Sequence, residues 1–268
     1  MEHYICSTCG VQYEATDKEP SECKICTDER QYVPTTGQKW TTLSTLEKEG
    51  YTNEFVEVEP GLISIKTFPQ VGIGQHAYLI RTPEGNVLWD CITYIDQNTI
   101  EKINSMGGIK AIALSHPHYY STIAVWAETF NCPVYIHQSD SEWITRKSDH
   151  YIFWSGERCS LNNTVELINL GGHFEGSSVL LWKQGASSEG VLLVGDTIYI
   201  VPDQGWVTFM YSYPNRIPLA SKSIKKMKEV IRKYEFHRLY DAFGKSILEN
   251  GRESVVKSAD RYIKFVEG

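Results

Sequence analysis

The chain has 268 residues, 41% hydrophobic and 12% aromatic, with a net charge of -7, which is enough apolar content for one sizeable core and a small appendage. That charge and a pI near 5.7 argue against a general nucleic-acid binder or a ligand for acidic membranes. No apolar run approaches the ~20 residues of a membrane helix, no signal-peptide pattern opens the chain, and 7 cysteines make an odd number, so a cytoplasmic, reducing setting is expected.

The first element is a pair of knuckles, Cys6-Ser7-Thr8-Cys9 and Cys23-Lys24-Ile25-Cys26, 13 residues apart. Two such turns can present four thiolates to one tetrahedral ion. The pattern resembles a zinc ribbon or rubredoxin-like module, with Gly10 after the first knuckle as in that family and Thr27 where the second often has glycine. A segment of about 35 residues is too small to be stabilised by burial alone, so a structural ion, zinc in preference to iron, is expected to fold it. Residues 1–40 carry 7 acidic against 4 basic side chains, which is a poor match for a phosphate backbone. A protein partner or a second copy of the chain is the contact expected of the ribbon. The domain boundary is placed at residue 38, giving a ribbon over 1–38 and a main domain over 39–268.

Residues 34–60 read as a connector, because Gly37, Gly50 and the acidic run Glu54 to Glu59 interrupt any long helix. Beyond it, short β-branched or apolar runs predict strands at 62–68, 77–81, 87–89, 109–114, 134–136, 164–169, 179–182, 191–194 and 239–241. Helices are predicted at 96–106, 122–130, 219–234 and 249–266. In the third of these, Ile224, Met227, Val230 and Ile231 recur at helical spacing, so its many lysines form a solvated face. Mixed traffic of this kind fits an α/β protein, an αββα four-layer sandwich.

The chemistry-bearing residues sit at strand ends. Ser115-His116-Pro117-His118-Tyr119-Tyr120 follows the apolar run 109–114, His173 lies in a glycine-rich turn, and Asp196 follows the run 191–194. Two histidines at i, i+2 on a tight post-strand turn can aim both rings at one point, and neutral imidazole is a favoured ligand for zinc and similar ions. A lone histidine on an apolar face is usually a satisfied core residue; three in this order, with a carboxylate, are more telling. His76, after a glycine-rich turn, either lines the pocket or serves elsewhere, and His137 reads as structural.

The order of these pieces resembles the metallo-β-lactamase superfamily over about residues 60 to 268, whose signature reads HxHxDH, a glycine-flanked histidine, an aspartate after a strand and a last histidine. Residue by residue, the resemblance implies that His116, His118, His173 and Asp196 share one ion, zinc or iron. The aspartate and histidine that complete HxHxDH are replaced by Tyr120 and Ser121, and the last histidine by Phe243. A one-metal centre is therefore expected, without the nuclease chemistry that calls on two.

The first expectation for function is hydrolysis of a small ester, lactone or thioester by a metal-bound hydroxide. Asp196 would orient the water or act as base, and Tyr119 or Tyr120 would donate to the developing oxyanion. Iron at the same site, held by two histidines and Asp196, would instead suit a mononuclear oxidoreductase resembling the sulfur dioxygenases of the superfamily. A closed tetrahedron of all four ligands would leave a non-catalytic, metal-stabilised binding module. Aromatics after His118 and Asp196, Tyr199 and those between Trp206 and Tyr213 among them, should lie near the metal if the family layout holds.

Overall fold

The computed structural model describes residues 1–268. Two sheets dominate it: seven strands spanning Thr52 to Trp154 and six spanning Arg158 to Ile247. Period-2 alternation decides which side chain goes where. In the first sheet Leu79, Leu88 and Ile112 face helices Gln97–Ser105 and Ile123–Phe130, through Ile103, Ile123 and Trp126. Their chain neighbours Tyr78, Trp89 and Ala113 face the second sheet, where Leu167, Leu180 and Leu193 meet them. One residue along, Ile168, Leu181 and Leu192 turn outward onto helices Ser221–Ile231 and Gly251–Glu267, through Ile224, Met227 and Val255. The layers are helix, sheet, sheet, helix, and each fully buried Leu or Ile contributes about 1.5–3 kcal/mol.

The helices form where local signals agree. Asp96 caps Gln97–Ser105, its carboxylate accepting from Thr99 N at 2.7 Å, an arrangement worth about 1 kcal/mol. In Ser221–Ile231 the buried positions are Ile224, Met227, Val230 and Ile231, while Lys222, Lys225 and Lys226 are exposed. These helices are crossovers between parallel strands: Val87–Trp89, Ala111–Ala113, Val134–His137 and Tyr151–Trp154 run parallel, as do Val191–Leu193 and Arg238–Tyr240. The carboxyl ends of Ala111–Ala113, Val191–Leu193 and Arg238–Tyr240 lead to His116, Asp196 and Phe243.

The connector expected over 34–60 is more ordered than its composition suggests. Leu43–Lys48 is a helix, and Thr52–Glu59 is the edge strand of the large sheet, paired antiparallel with Leu62–Phe68. Of the acidic side chains that argued against a long helix, Glu54 and Glu57 are exposed at an edge, where charge discourages pairing with another chain, while Glu59 is buried against Arg238. At the amino terminus Glu2–Cys6, Gln12–Thr16 and Trp40–Thr41 form a three-stranded sheet, so backbone pairing of the ribbon runs to Thr41. No helix is long and apolar enough to cross a membrane.

Candidate metal centre and its cavity

His116 is the last extended residue before the turn Pro117–Tyr119, which Pro117 starts with its fixed φ. Ser115 N donates to Asp90 Oδ1 at 2.7 Å, and Ser115 Oγ pairs with His116 Nδ1 at 2.8 Å, which leaves His116 Nε2 for a ligand. His173 sits in a loop closed by Phe174 N donating to Ser177 Oγ at 2.7 Å and Gly176 N donating to Asp140 Oδ1 at 2.8 Å. Gly172 precedes it at φ 90, and a Cβ there would meet Met227 Cε at 2.4 Å. His173 Nδ1 pairs with the Met210 carbonyl at 3.2 Å, which turns Nε2 inward.

Ligand atoms of His116, His118, His173 and Asp196 all lie within 4.8 Å of one another, and all four residues are buried. His173 Nε2 and His118 Nδ1 are 3.2 Å apart; His116 Nε2 and Asp196 Oδ2 are 3.8 Å apart. A tetrahedron of ~2.0–2.1 Å bonds has edges of about 3.3 Å, so the spacing suits one cation. His116 Nε2, His118 Nε2 and Asp196 Oδ1 are buried with no hydrogen-bond partner. Three polar atoms left without partners out of water are unfavourable unless something binds there, and the donor set of three imidazoles and a carboxylate fits a metal ion.

Burial sets the protonation states. It holds His116 and His118 well below the usual imidazole range, helped by the neighbouring His173, and lowers His173 to about 4. All three rings are therefore neutral near pH 7, the form that ligates. Burial pushes Asp196 up to about 7 against the opposing effect of Tyr119; a cation beside it would reverse that.

The residues expected to assist are placed differently from one another. Tyr119 is fully buried behind His116, with ring centroids 4.4 Å apart, and burial together with the Asp196 carboxylate keeps its proton on. Its hydroxyl closes no hydrogen bond and does not reach the cavity. Tyr120 points the other way, its hydroxyl donating to the Asp140 carbonyl at 3.3 Å within the helix-facing core. Neither tyrosine can meet an oxyanion over the metal, because the short turn sends consecutive side chains behind and beside the histidines. Ser121 donates to the Cys91 carbonyl and accepts from Gln75 Nε2, and Phe243 is apolar, so no second set of ligands stands beside the first. His76 is held by Ser64 Oγ at 2.8 Å and does not line the cavity.

Cys6, Cys9, Cys23 and Cys26 form the other ligand group, all buried and none in a disulfide. Sγ separations of 3.6 Å for Cys6 to Cys26 and 3.5 Å for Cys9 to Cys23 approach the edge of about 3.8 Å of a tetrahedral thiolate site with ~2.3 Å bonds. Burial pushes the Cys9 thiol up while the neighbouring Cys23 sulfur pulls Cys6 down, a conflict that a bound cation relieves.

A cavity of about 480 Å³ opens over His118, His173 and Asp196. Tyr199, Tyr213 and Phe243 wall it from the main domain, and Thr8, Gln31 and Tyr32 wall it from the ribbon. The Tyr213 hydroxyl donates to the Asp196 carbonyl at 3.0 Å. Tyr199 accepts from Lys245 Nζ at 3.1 Å, which leaves its own proton free to donate. The layout of the resemblance pointed to Tyr199 and Tyr213; nothing in the sequence pointed to the ribbon residues. A separate depression of about 490 Å³ beside His137, Glu157 and Lys226 holds none of the four donors.

The model of the metallo-β-lactamase superfamily matches residues 71–233. The uncharacterized protein YmaE of Bacillus subtilis (strain 168) is 52% identical over 265 residues, 98% of this chain and 97% of that protein. Among solved structures, the metallo-β-lactamase TMB-1 superposes with a TM-score of 0.61 at 17% identity, over 78% of this chain and 97% of that one. FIM-1 from Pseudomonas aeruginosa in its mono-zinc form gives 0.56 at 14% identity, over 79% and 96%. Structural likeness at such identities speaks to the fold. With the order of its ligands, its four layers and the matched residues in agreement, the chain belongs to the metallo-β-lactamase superfamily.

Proposed function

We propose that this protein is a mononuclear metal-dependent hydrolase of a small uncharged ester, lactone or thioester, with zinc the expected ion at the histidine site and in the ribbon. One observation carries the reading: four buried metal-ligating side chains, three of them with an unpartnered polar atom, converge at the floor of a cavity that touches three of the four. A purely structural ion would be closed over, whereas here the donors face a space large enough for a small molecule. A divalent ion held by His116, His118, His173 and Asp196 would supply Lewis acidity and water activation near neutral pH. Asp196 accepts a hydrogen bond from the attacking water and orients it. Tyr199 donates from the cavity wall toward the carbonyl oxygen as negative charge develops there. Ser115 positions His116 from behind through its hydroxyl on Nδ1. The seven unpaired cysteines support a reducing, cytoplasmic setting.

The test is a panel of thioesters, lactones and esters assayed with metal-loaded wild type and with His116→Ala, Asp196→Ala and Tyr199→Phe. Turnover by the wild type, loss of about a hundredfold or more in the first two variants and of about tenfold in the third is expected. Turnover that survives His116→Ala, or none in the wild type across the panel, contradicts the reading.

A further inference from the structure

The amino-terminal ribbon does more than sit beside the cavity. Residues 28–32 are fastened to the loops that carry the site: Arg30 Nη1 donates to the His173 carbonyl at 3.3 Å, and its guanidinium lies 3.9 Å over the Phe174 ring. Ser212 Oγ donates to the Arg30 carbonyl at 3.0 Å, and Asn215 Nδ2 donates to the carbonyls of Glu29 and Gln31, both at 2.9 Å. The Gln31 backbone is thus pinned from both sides of Tyr213, itself a wall of the cavity.

The Gln31 side chain is another matter. The residue is 7% exposed, and its carboxamide oxygen is buried without any partner in the protein. An amide oxygen withdrawn from water and left unpaired is unfavourable, and because the Gln31 side chain lines the cavity, a ligand there can supply the missing partner when the carboxamide turns toward it. The remaining wall narrows that ligand's chemistry. Tyr32, Tyr199, Tyr213 and Phe243 offer flat apolar faces, and no lysine, arginine or glutamate lines the space.

We propose that the ribbon is a specificity element of this pocket, with Gln31 pairing with a secondary amide carried by an uncharged acyl substrate. This rests on the hydrolase reading above. A carboxamide both donates and accepts, so an amide matches it group for group, while a charged group away from the His118, His173 and Asp196 floor would find no lysine, arginine or glutamate on the wall. Tyr32 covers the same substrate from the solvent side.

The experiment uses the full-length, metal-loaded protein and two thioesters of equal length, one with an amide in its acyl chain and the other with methylenes in its place. Calorimetric binding of the two corresponding methyl ketones, which are not hydrolysed, gives an independent readout. The wild type is expected to favour the amide member by about 2–10-fold in kcat/KM and in Kd. Gln31→Met brings that ratio to near one in both, and Tyr32→Ala, at a residue 48% exposed, weakens both members alike. Equal handling of the two members by the wild type, or an undiminished ratio in Gln31→Met, overturns the proposal, and the first outcome does not depend on the variant folding. Should no thioester be turned over, the hydrolase reading falls, and the ketone pair still decides the role of Gln31.

Discussion

Replacing Gly72 by alanine should pry the ribbon off the cavity. Gly72 has φ +63, and a Cβ on it would lie 2.9 Å from both Cα and N of Gly10 and 3.0 Å from the carbonyl carbon of Cys9. All three are main-chain atoms of the first knuckle, so no side chain can swing aside, and relief requires moving a residue next to a metal ligand. Overpacking of this kind costs about 1–3 kcal/mol, and left-handed backbone at a residue with a Cβ adds about 1–2 kcal/mol. A total of roughly 2–5 kcal/mol lowers Tm by about 4–20 °C in a domain of this size. Gly37→Ala is the matched control: it lies in the same region at φ +86 with nothing within 4 Å of its Cβ, so it carries the backbone cost alone. Thermal unfolding followed by circular dichroism and the rate of metal release to a chelator should separate the two variants, Gly72→Ala melting lower and losing ribbon metal faster. Equal Tm values and equal release rates would refute the claim that the ribbon docks by this close backbone approach.

Other contacts in the molecule set further outcomes. Arg30→Ala removes the guanidinium over Phe174 and the bond to the His173 carbonyl, and should cost about 1–3 kcal/mol in thermal or denaturant unfolding; a change below about 0.5 kcal/mol would show that the clamp contributes little. Cys23→Ser should lower the metal content by one ion per chain and raise protease sensitivity in residues 1–40, since a segment that small depends on its metal. Burial raises Asp90 to about 8, above the ~3.9 of an unfolded aspartate, so the folded state keeps a proton that the unfolded state gives up, and this contribution is present at acid pH and lost as pH rises toward 8. Asp90→Asn, which also suits φ 60, should therefore gain on the wild type in Tm as pH goes from 5 to 8; a constant gap would show that Asp90 does not titrate in that window.

Much of the site was legible in the chain because its ligands are local signals. His116 and His118 two residues apart after an apolar run, and paired CxxC knuckles, carry their geometry in their spacing. The strands were legible for the same reason, since Leu62–Phe68 is a short, largely buried run rich in β-branched residues and Val87–Trp89 is buried throughout. What adjacency could not decide was direction: Tyr119 and Tyr120 follow His118, yet the turn sends one behind His116 and the other into the helix-facing core. The acidic edge strand Thr52–Glu59 was read as connector because an edge needs only half an apolar pattern. The ribbon's place over the cavity was invisible, because its fastenings join residues more than 140 apart, Arg30 to His173 and Glu29 to Asn215, and no periodicity reports such a contact.

The central claim is one ion among His116, His118, His173 and Asp196, with the neighbouring positions unable to hold another. Metal content per folded chain, measured by mass spectrometry of the elements on protein saturated with zinc and freed of excess, tests it most directly when wild type, His116→Ala and Cys23→Ser are compared. Two ions in the wild type and one in each variant is the predicted result. Three ions in the wild type, with two lost together in His116→Ala, would contradict it.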